Sequence, residues 1–410
     1  MIRFTNFALL DVRAGKLRAG HDVLVDGREI KTVARGRIAA KNAKVIDLKG
    51  RSLMPGLIDC HTHIIGWAWG LWGPPKNLPS YASAYGGKIM RGQLMRGFTT
   101  IRDTGGADLG HKMAVEQGLF LGPRIFVSGR TISQTGGHGD GRASADQTDP
   151  CGCAYLQGGI GRVADGVAEV RRAIRDELRL GADQIKIMAG GGIASAADPI
   201  DQLQYSTEEI EAAVDEATRS HTYVMAHVYT AAGVRRCIAA GVRTIEHGNM
   251  IDETGARMMV KAGAFLVPTL VTHRNIERNG KARGFPDWAM VKNREVLASG
   301  TRALEIASRA GVKMAYGTDL ASTPDMQSEE FLVRGEVLSP ADVIRSATLH
   351  GAEVVRMVGK LGVIAPGAFA DLIVVDGNPL DDLNLFQDQG AHIPLIMKDG
   401  VIVKNALETR

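Results

Sequence analysis

The apolar residues of this chain follow one pattern at its two ends and another in its middle. Near the amino terminus, short apolar runs alternate with turns that contain glycine and arginine, which is typical of β-hairpins. The strands predicted there are residues 4–10, 21–25, 30–33 and 44–47. The pattern returns near the other end, where the predicted strands are residues 362–364, 371–376 and 396–403. We therefore expect residues 1–55 and 360–410 to build one small β-sandwich domain from both termini.

Between residues 56 and 359, short and almost continuously apolar runs are separated by stretches of helical periodicity. Such runs are typical of parallel strands that are buried on both faces. The eight runs are residues 57–60, 99–102, 124–128, 184–188, 223–226, 244–246, 264–270 and 313–316. A capping box from Ser206 to Glu209 and the pair Ser339-Pro340 mark two of the helix starts. Eight strand–helix units predict an α/β protein whose middle part is a closed (β/α)8 barrel of the TIM type.

Composition and charge exclude several other classes of protein. The 410 residues include 49 basic and 45 acidic side chains, and a net charge of +4 is too small to indicate a nucleic-acid or membrane surface. Four cysteines, among them Cys151 and Cys153, are too few for a disulfide framework in a chain of this length. The chain as given lacks the apolar core of a signal peptide and a run long enough to span a membrane. We expect a cytoplasmic homo-oligomer without nucleic-acid or membrane partners.

Residues with metal-binding side chains stand at the ends of five predicted barrel strands. They are His61 and His63 after the first strand, Lys186 in the fourth, His227 in the fifth, His247 in the sixth and Asp319 after the eighth. Active sites of such barrels lie at the carboxyl ends of the strands, so we expect these residues to meet at one rim. Two histidines that are two positions apart on a strand point to the same side and can bind one metal ion.

Each of these residues also has an interpretation without a metal. A single histidine is more often a packed residue than a ligand, and a buried lysine is costly unless a carboxylate pairs with it. The other interpretation of Lys186 is a carbamate formed with CO2, an anion that can bridge two cations. Six candidate ligands at five strand ends favour the metal site over coincidence.

With their flanking residues, these motifs resemble the amidohydrolase superfamily over essentially the whole chain. The resemblance is carried by residues 55–63, Lys186, His227, 246–248 and 317–319. A narrower resemblance, to the imidazolonepropionase-related branch and its bacterial prolidase-like members, is carried by residues 99–103, 136–140 and 227–229. Those members cleave dipeptides and N-acyl amino acids.

The resemblance implies a binuclear zinc centre. The ligands that it implies are His61, His63 and Asp319 for one Zn²⁺, His227 and His247 for the other, and N6-carboxylated Lys186 together with a hydroxide as bridges. The hydroxide would attack the scissile carbonyl while the second ion polarises it, and Asp319 would take the proton and deliver it to the leaving amine. Single-metal deaminases carry a catalytic glutamate near the fifth-strand histidine, whereas no acidic residue stands in the five positions after His227.

Several further residues are candidates for contact with the substrate. Tyr229 follows His227 by two positions, and His138 lies among glycines after the third predicted strand, where its backbone can enter the mouth of the barrel. A packed tyrosine and an exposed histidine are the alternatives. His273 and Arg274 follow the seventh strand, and Arg274 could bind a carboxylate. The tryptophans Trp67, Trp69 and Trp72 could line an apolar pocket or a subunit contact.

The sequence predicts a prolidase-like dipeptidase that acts on Xaa-Pro dipeptides or N-acyl prolines. Cleavage before arginine or lysine remains an alternative, for which Asp140 or Asp198 could supply the acidic partner. Hydrolysis of another N-acyl or cyclic amide, such as imidazolonepropionate, is a second alternative. A non-catalytic scaffold is disfavoured because all six candidate ligands are present.

Overall fold

The computed structural model describes residues 1–66, 78–142, 145, 160–321 and 323–407. The amino-terminal part contains seven short strands. They are β1 (Ile2–Thr5), β2 (Ala8–Asp11), β3 (Lys16–Arg18), β4 (His21–Asp26), β5 (Glu29–Arg35), β6 (Lys44–Asp47) and β7 (Ser52–Pro55). The carboxyl-terminal part of the sandwich contains β18 (Leu372–Val375), β19 (Leu395–Lys398) and β20 (Val401–Asn405).

These strands form two sheets, and one of them joins the two ends of the chain. The first sheet has the order β5-β4-β1-β6, and the second has the order β20-β19-β18-β7-β2-β3. Within the second sheet, β7 and β18 run antiparallel, with Ser52 opposite Val375 and Leu53 opposite Val374. The prediction that both termini contribute to one β-sandwich is therefore confirmed, whereas the boundaries at residues 55 and 360 stay a prediction.

Among the described residues, eight strands make up the barrel. They are β8 (Leu57–Thr62), β9 (Phe98–Asp103), β10 (Arg124–Phe126), β13 (Ile185–Met188), β14 (Val224–Thr230), β15 (Thr244–Met250), β16 (Phe265–Val267) and β17 (Lys313–Met314). The strand pairs within each barrel sheet are parallel. Two backbone hydrogen bonds complete the ring, since Asp183 N donates to Val127 O at 2.7 Å and Cys60 N donates to Tyr316 O at 2.8 Å. The predicted α/β barrel is thus confirmed.

Helices surround the barrel and follow its strands. They are α1 (Pro79–Met95), α2 (Leu109–Glu116), α3 (Gly166–Arg179), α4 (Thr207–Arg219), α5 (Ala231–Ala239), α6 (Glu253–Ala262), α7 (Leu270–Asn279), α8 (Asp287–Ala310), α9 (Glu329–Gly335), α10 (Pro340–Arg345) and α11 (Gly351–Val354). Both predicted helix starts are confirmed, because Ser206 and Glu209 form a reciprocal capping box and Ser339 caps α10. Within the described part of the chain, no helix combines the length and apolar character needed to cross a bilayer.

Some of the predicted strands were wrong in detail. Residues 4–10 form two strands rather than one, because Asn6 has a φ of 54° that breaks the extended backbone. Residues 362–364 form no strand, since Gly362 has a φ of 69° and approaches Thr348 O so closely that a Cβ would lie 2.4 Å from it. The seventh barrel strand ends at Val267, and Leu270 already begins α7.

Two short strands beside the barrel escaped the sequence analysis. They are β11 (Thr131–Ser133) and β12 (Gly161–Val163), and β11 lies between β12 and β13 in the sheet. Three-residue strands with few apolar positions carry too little periodicity to be recognised.

The core is continuous between the sandwich and the barrel. Its largest group of buried apolar side chains includes Phe4, Leu53 and Ile373 of the sandwich as well as Ile187 and Ile245 of the barrel. A single residue, Gly56, separates β7 from the first barrel strand β8, so the connection between sandwich and barrel is tight.

Gly56, between β7 and β8, tests this tight connection. An alanine Cβ at this buried position would lie 2.1 Å from Thr99 Oγ1. We expect Gly56→Ala to lower the free energy of unfolding by about 1–3 kcal/mol, as overpacking of a core does. Denaturant unfolding followed by circular dichroism measures the change. Gly141→Ala is the matched control, because no described residue lies within 4 Å of the Cβ position of the exposed Gly141; equal stability of the two variants would contradict the prediction.

Candidate metal centre

The predicted ligands meet at one end of the barrel. His61 and Lys186 lie in β8 and β13, His227 and His247 lie in β14 and β15, and Asp319 follows β17. The four side chains on strands are buried, whereas the side chains of His63 and Asp319 keep 10% and 25% of their surface exposed. Residues that are far apart in sequence therefore face one shared polar interior.

Close packing around the backbone near Asp319 explains why residue 317 is a glycine. Asp319 N donates to His61 O at 2.8 Å, which holds the segment after β17 against β8. A Cβ on Gly317 would lie 2.6 Å from Val267 Cγ1 and 2.9 Å from His61 Cβ. Asp319 itself has a φ of 53° and His247 a φ of 71°, a conformation that is strained for side chains other than glycine. Strained residues of this kind cluster at functional sites.

The donor atoms are close enough to share metal ions. The ligand atoms of His61, His247 and Asp319 lie within 4.8 Å of one another. Asp319 Oδ1 lies 3.6 Å from His61 Nε2 and 3.4 Å from His63 Nε2. The His227 and His247 rings have centroids 4.6 Å apart, and the His61 and His247 rings 4.8 Å apart.

The two histidines of β8 and its end each present Nε2 to the centre. His61 Nδ1 lies 2.7 Å from Glu246 Oε2, and His63 Nδ1 lies 2.9 Å from Gly105 O. Because these partners are acceptors, Nδ1 carries the proton in each ring and the lone pair stays on Nε2.

The other two histidines, His247 and His227, are hydrogen-bonded through different ring nitrogens. His247 forms a hydrogen bond through Nδ1 to Thr269 Oγ1 at 2.7 Å, so Nε2 is its remaining ring nitrogen. In His227 it is Nε2 that lies 3.2 Å from Gly191 O, so Nδ1 carries the lone pair. Burial holds the pKa of both histidines well below the usual value, so their rings are neutral. Neutral imidazoles are the form that binds metal ions.

Lys186 lies among these groups on β13. Burial lowers its pKa to about 8, although the nearby Glu246 and Asp319 carboxylates oppose this shift. The pKa of Asp319 is held low despite burial, because His61 and His63 favour its ionised form. Four imidazoles, a carboxylate and a lysine nitrogen fit the N and O ligands that zinc accepts. The residues therefore form a possible site for metal ions.

Arg102 and Glu246 lie in motifs that the sequence singles out, but their functional role was not predicted. Both side chains are fully buried, and Arg102 Nη2 donates to the two Glu246 oxygens at 2.8 and 2.9 Å. Burial opposes ionisation of Glu246, but Arg102 and His61 lower its pKa to about 2. The available signal was an arginine inside an apolar strand, since such a charge must have a buried partner.

Three further predicted residues border the ligands. The His138 ring stacks on the His227 ring at 4.3 Å, and Tyr229 lies 4.9 Å from His227 between ring centroids. His273 lies in α7 with its ring centroid 5.7 Å from that of Tyr229. Its buried Nε2 has no hydrogen-bond partner among the described residues. A Cβ on Gly192 would lie 1.9 Å from His138 Nδ1, so this glycine makes room for the stacked ring.

Other candidates have different surroundings. Arg274 forms a two-pronged ion pair with Glu336, at 2.6 and 2.5 Å, so its guanidinium already has a carboxylate partner, and its contact with a substrate carboxylate stays a prediction. The residues Trp67, Trp69, Trp72, Cys151 and Cys153 lie outside the described residues.

Comparison with known proteins gives the family. Residues 52–403 match the amidohydrolase family. Ochratoxinase of Aspergillus niger is 34% identical over 368 residues, which cover 86% of this chain and 75% of that protein.

Solved structures agree with this match. A crystal structure of an amidohydrolase superposes with a TM-score of 0.97 at 50% identity, covering 99% of this chain and all of the other. A prolidase complexed with N-methylphosphonate-L-proline superposes with a TM-score of 0.96 at 46% identity, covering 98% and 99% of the two chains. The resemblance inferred from the motifs is confirmed. The chain belongs to the amidohydrolase family and is a hydrolase that acts on amide bonds.

Proposed function

We propose that this chain is a binuclear zinc dipeptidase of the prolidase type, which cleaves Xaa-Pro dipeptides or N-acyl prolines. The proposal is carried by the convergence of three buried imidazoles, the partly buried imidazole of His63, the Asp319 carboxylate and the Lys186 amine at one rim of the barrel. Similarity to a prolidase that was crystallised with a phosphonate derivative of proline supports the substrate class.

In the proposed centre, His61, His63 and Asp319 would hold one metal ion, and His227 and His247 would hold the other. Lys186 would supply a shared ligand after its neutral amine nitrogen adds to CO2 and releases a proton to solvent, giving a carbamate. When bound, the metal pair would activate a water molecule and polarise the scissile carbonyl.

Asp319 is the residue proposed to move the proton. Its Oδ1 lies 3.4 Å from His63 Nε2 and 3.6 Å from His61 Nε2, beside the donor atoms of the centre. The carboxylate would accept a proton from the attacking water and donate it to the amide nitrogen as the C–N bond breaks. This step matters because an amide nitrogen leaves poorly unless it is protonated.

Tyr229 and His138 are proposed to contact the substrate beside the scissile bond. Both rings lie against His227, with centroids at 4.9 and 4.3 Å. The Tyr229 hydroxyl keeps its proton because burial raises its pKa well above the usual value, so it can donate a hydrogen bond. His138 is oriented by Ser195, whose Oγ lies 2.7 Å from Nδ1.

The acidic residues considered for a cationic substrate already have partners. Asp140 Oδ2 pairs with Arg142 Nη2 at 2.6 Å. Asp198 is fully buried and accepts from Gly192 N at 2.9 Å, with Lys292 Nζ 3.7 Å from its other oxygen. A substrate arginine or lysine would have to displace these cations, which favours proline over a basic residue.

Removal of Lys186 tests the bridging role. We expect Lys186→Ala to lose bound zinc and to lower kcat/KM by a factor of at least about 10², since two ions would lose a shared ligand. Metal analysis and turnover with zinc and bicarbonate present measure both effects. Lys112→Ala is the control, because Lys112 pairs with Asp183 just before the same strand and should keep both properties. Full metal content and activity in Lys186→Ala would refute the bridge.

Replacement of Asp319 tests the proton transfer. We expect Asp319→Asn to lower kcat by about 10²–10⁴, which is the usual contribution of general acid–base catalysis. Because an amide oxygen can still act as a weak ligand, zinc should be retained when it is present in excess. Metal content is measured on the same sample, and near-normal turnover with zinc bound would contradict the assigned role.

A substrate panel tests the specificity. We expect kcat/KM for Xaa-Pro dipeptides to exceed that for Xaa-Arg and Xaa-Lys by at least about tenfold, which corresponds to 1.4 kcal/mol. The panel includes N-acyl prolines and a cyclic amide, with product release followed by chromatography. A preference for basic carboxyl-terminal residues, or for the cyclic amide, would overturn the proline assignment while leaving the metal centre intact.

A further inference from the structure

In each of the four imidazoles of the centre, one ring nitrogen points away from the centre and forms a hydrogen bond. The hydrogen-bond partner of this nitrogen differs among the four rings. His61 Nδ1 meets the Glu246 carboxylate at 2.7 Å. The corresponding atoms of the other three rings meet neutral groups, and these are Gly105 O for His63, Thr269 Oγ1 for His247 and Gly191 O for His227. Within the described residues, the position that contains His61 is therefore distinguished by an anionic support.

Glu246 is held rigidly in this role. Arg102 Nη2 donates to both of its oxygens, and Thr244 Oγ1 donates to Oε1 at 2.6 Å. Arg102 is itself fixed by a hydrogen bond of 2.6 Å from Nε to Cys60 O, on the strand that carries His61. Because all these side chains are buried, neither the carboxylate nor the ring can exchange its partner for water. The hydrogen bonds that link the side chains of Arg102, Glu246 and His61 therefore fix their relative positions.

A carboxylate that accepts the Nδ1 proton of an imidazole does two things to a metal ligand. It fixes the tautomer and ring orientation that aim Nε2 at the ion, and it makes Nε2 more basic. A carbonyl or hydroxyl acceptor supplies the first effect and less of the second. The loss of such a supporting partner typically costs 10–100-fold in metal affinity.

We infer that Glu246, supported by Arg102, is a positioning residue that makes the two metal positions unequal, with the position of His61, His63 and Asp319 binding its ion more tightly than that of His227 and His247. This inference rests on the metal centre of the proposed function. It concerns binding of the metal itself and is independent of the identity of the amide substrate.

Stepwise metal binding tests the inference. The purified full chain is stripped of metal and titrated with Zn²⁺ in bicarbonate buffer against a competing chelator. We expect two binding events in the unmodified protein, with dissociation constants that differ by at least about tenfold. In Glu246→Gln the tighter event should weaken by about 10–100-fold while the weaker event changes less than about threefold.

Thr269→Val is the matched variant for the other position. It removes the hydroxyl that forms a hydrogen bond with His247 Nδ1, so it should weaken the weaker event and leave the tighter one. A purely structural role of Glu246 would lower the stability of the metal-free protein without changing the ratio of the two affinities. Denaturant unfolding of the metal-free variants separates these effects.

Glu246→Gln leaves the buried Arg102 charge without its carboxylate and could fail to fold. The double variant Glu246→Gln/Arg102→Met removes that charge as well and is titrated in the same way. The inference is overturned if the tighter event is unchanged in the folded variants, if both events weaken equally, or if the unmodified protein binds its ions with equal affinity or binds fewer than two. Failure to cleave Xaa-Pro with two ions bound would overturn only the proposed substrate.

Discussion

The centre depends on the hydrogen bonds that close the barrel between its first and last strands. Cys60 N donates to Tyr316 O, and Asp319 N donates to His61 O, so β8 and the segment after β17 lie side by side. These bonds bring Asp319 to within 3.6 Å of His61 Nε2 although more than 250 residues separate the two in sequence. Parallel strands that all end at one rim then add the ligands of β13, β14 and β15 to the same place.

Burial imposes the second constraint, because each polar group inside the rim must find a partner. The backbone and side-chain acceptors around the four imidazoles meet this requirement and at the same time select which nitrogen faces the centre. Burial also lowers the pKa of His61, His227 and His247, which favours the neutral rings that a metal site needs. The hydrogen bonds that satisfy the buried imidazoles are therefore the same ones that orient their other ring nitrogens toward the proposed metal positions.

Close backbone approaches shape the wall around the ligands. Gly192 leaves space for the His138 ring, and Gly317 leaves space for His61 and for Val267 of β16. The left-handed backbone of Asp319 turns its carboxylate back over His61 and His63. Such strain persists only where surrounding contacts enforce it, and here the bond from Asp319 N to His61 O supplies the enforcement.

The sequence by itself determined the fold class and the six candidate ligands. Continuous apolar runs reveal buried parallel strands, and a ligand at the end of such a run has a defined place in a barrel. The capping box that the local sequence predicts between Ser206 and Glu209 is also present in the structure. Only the tertiary structure decided the hydrogen-bond partners of these residues. Glu246 binds His61 and is itself bound by Arg102, and Glu336 binds Arg274. The tertiary structure also decided which nitrogen of each ring is hydrogen-bonded. These pairs join residues that are distant in sequence, so local periodicity does not reveal them. They arise because strands bring the side chains together and because an unpaired buried polar atom is costly.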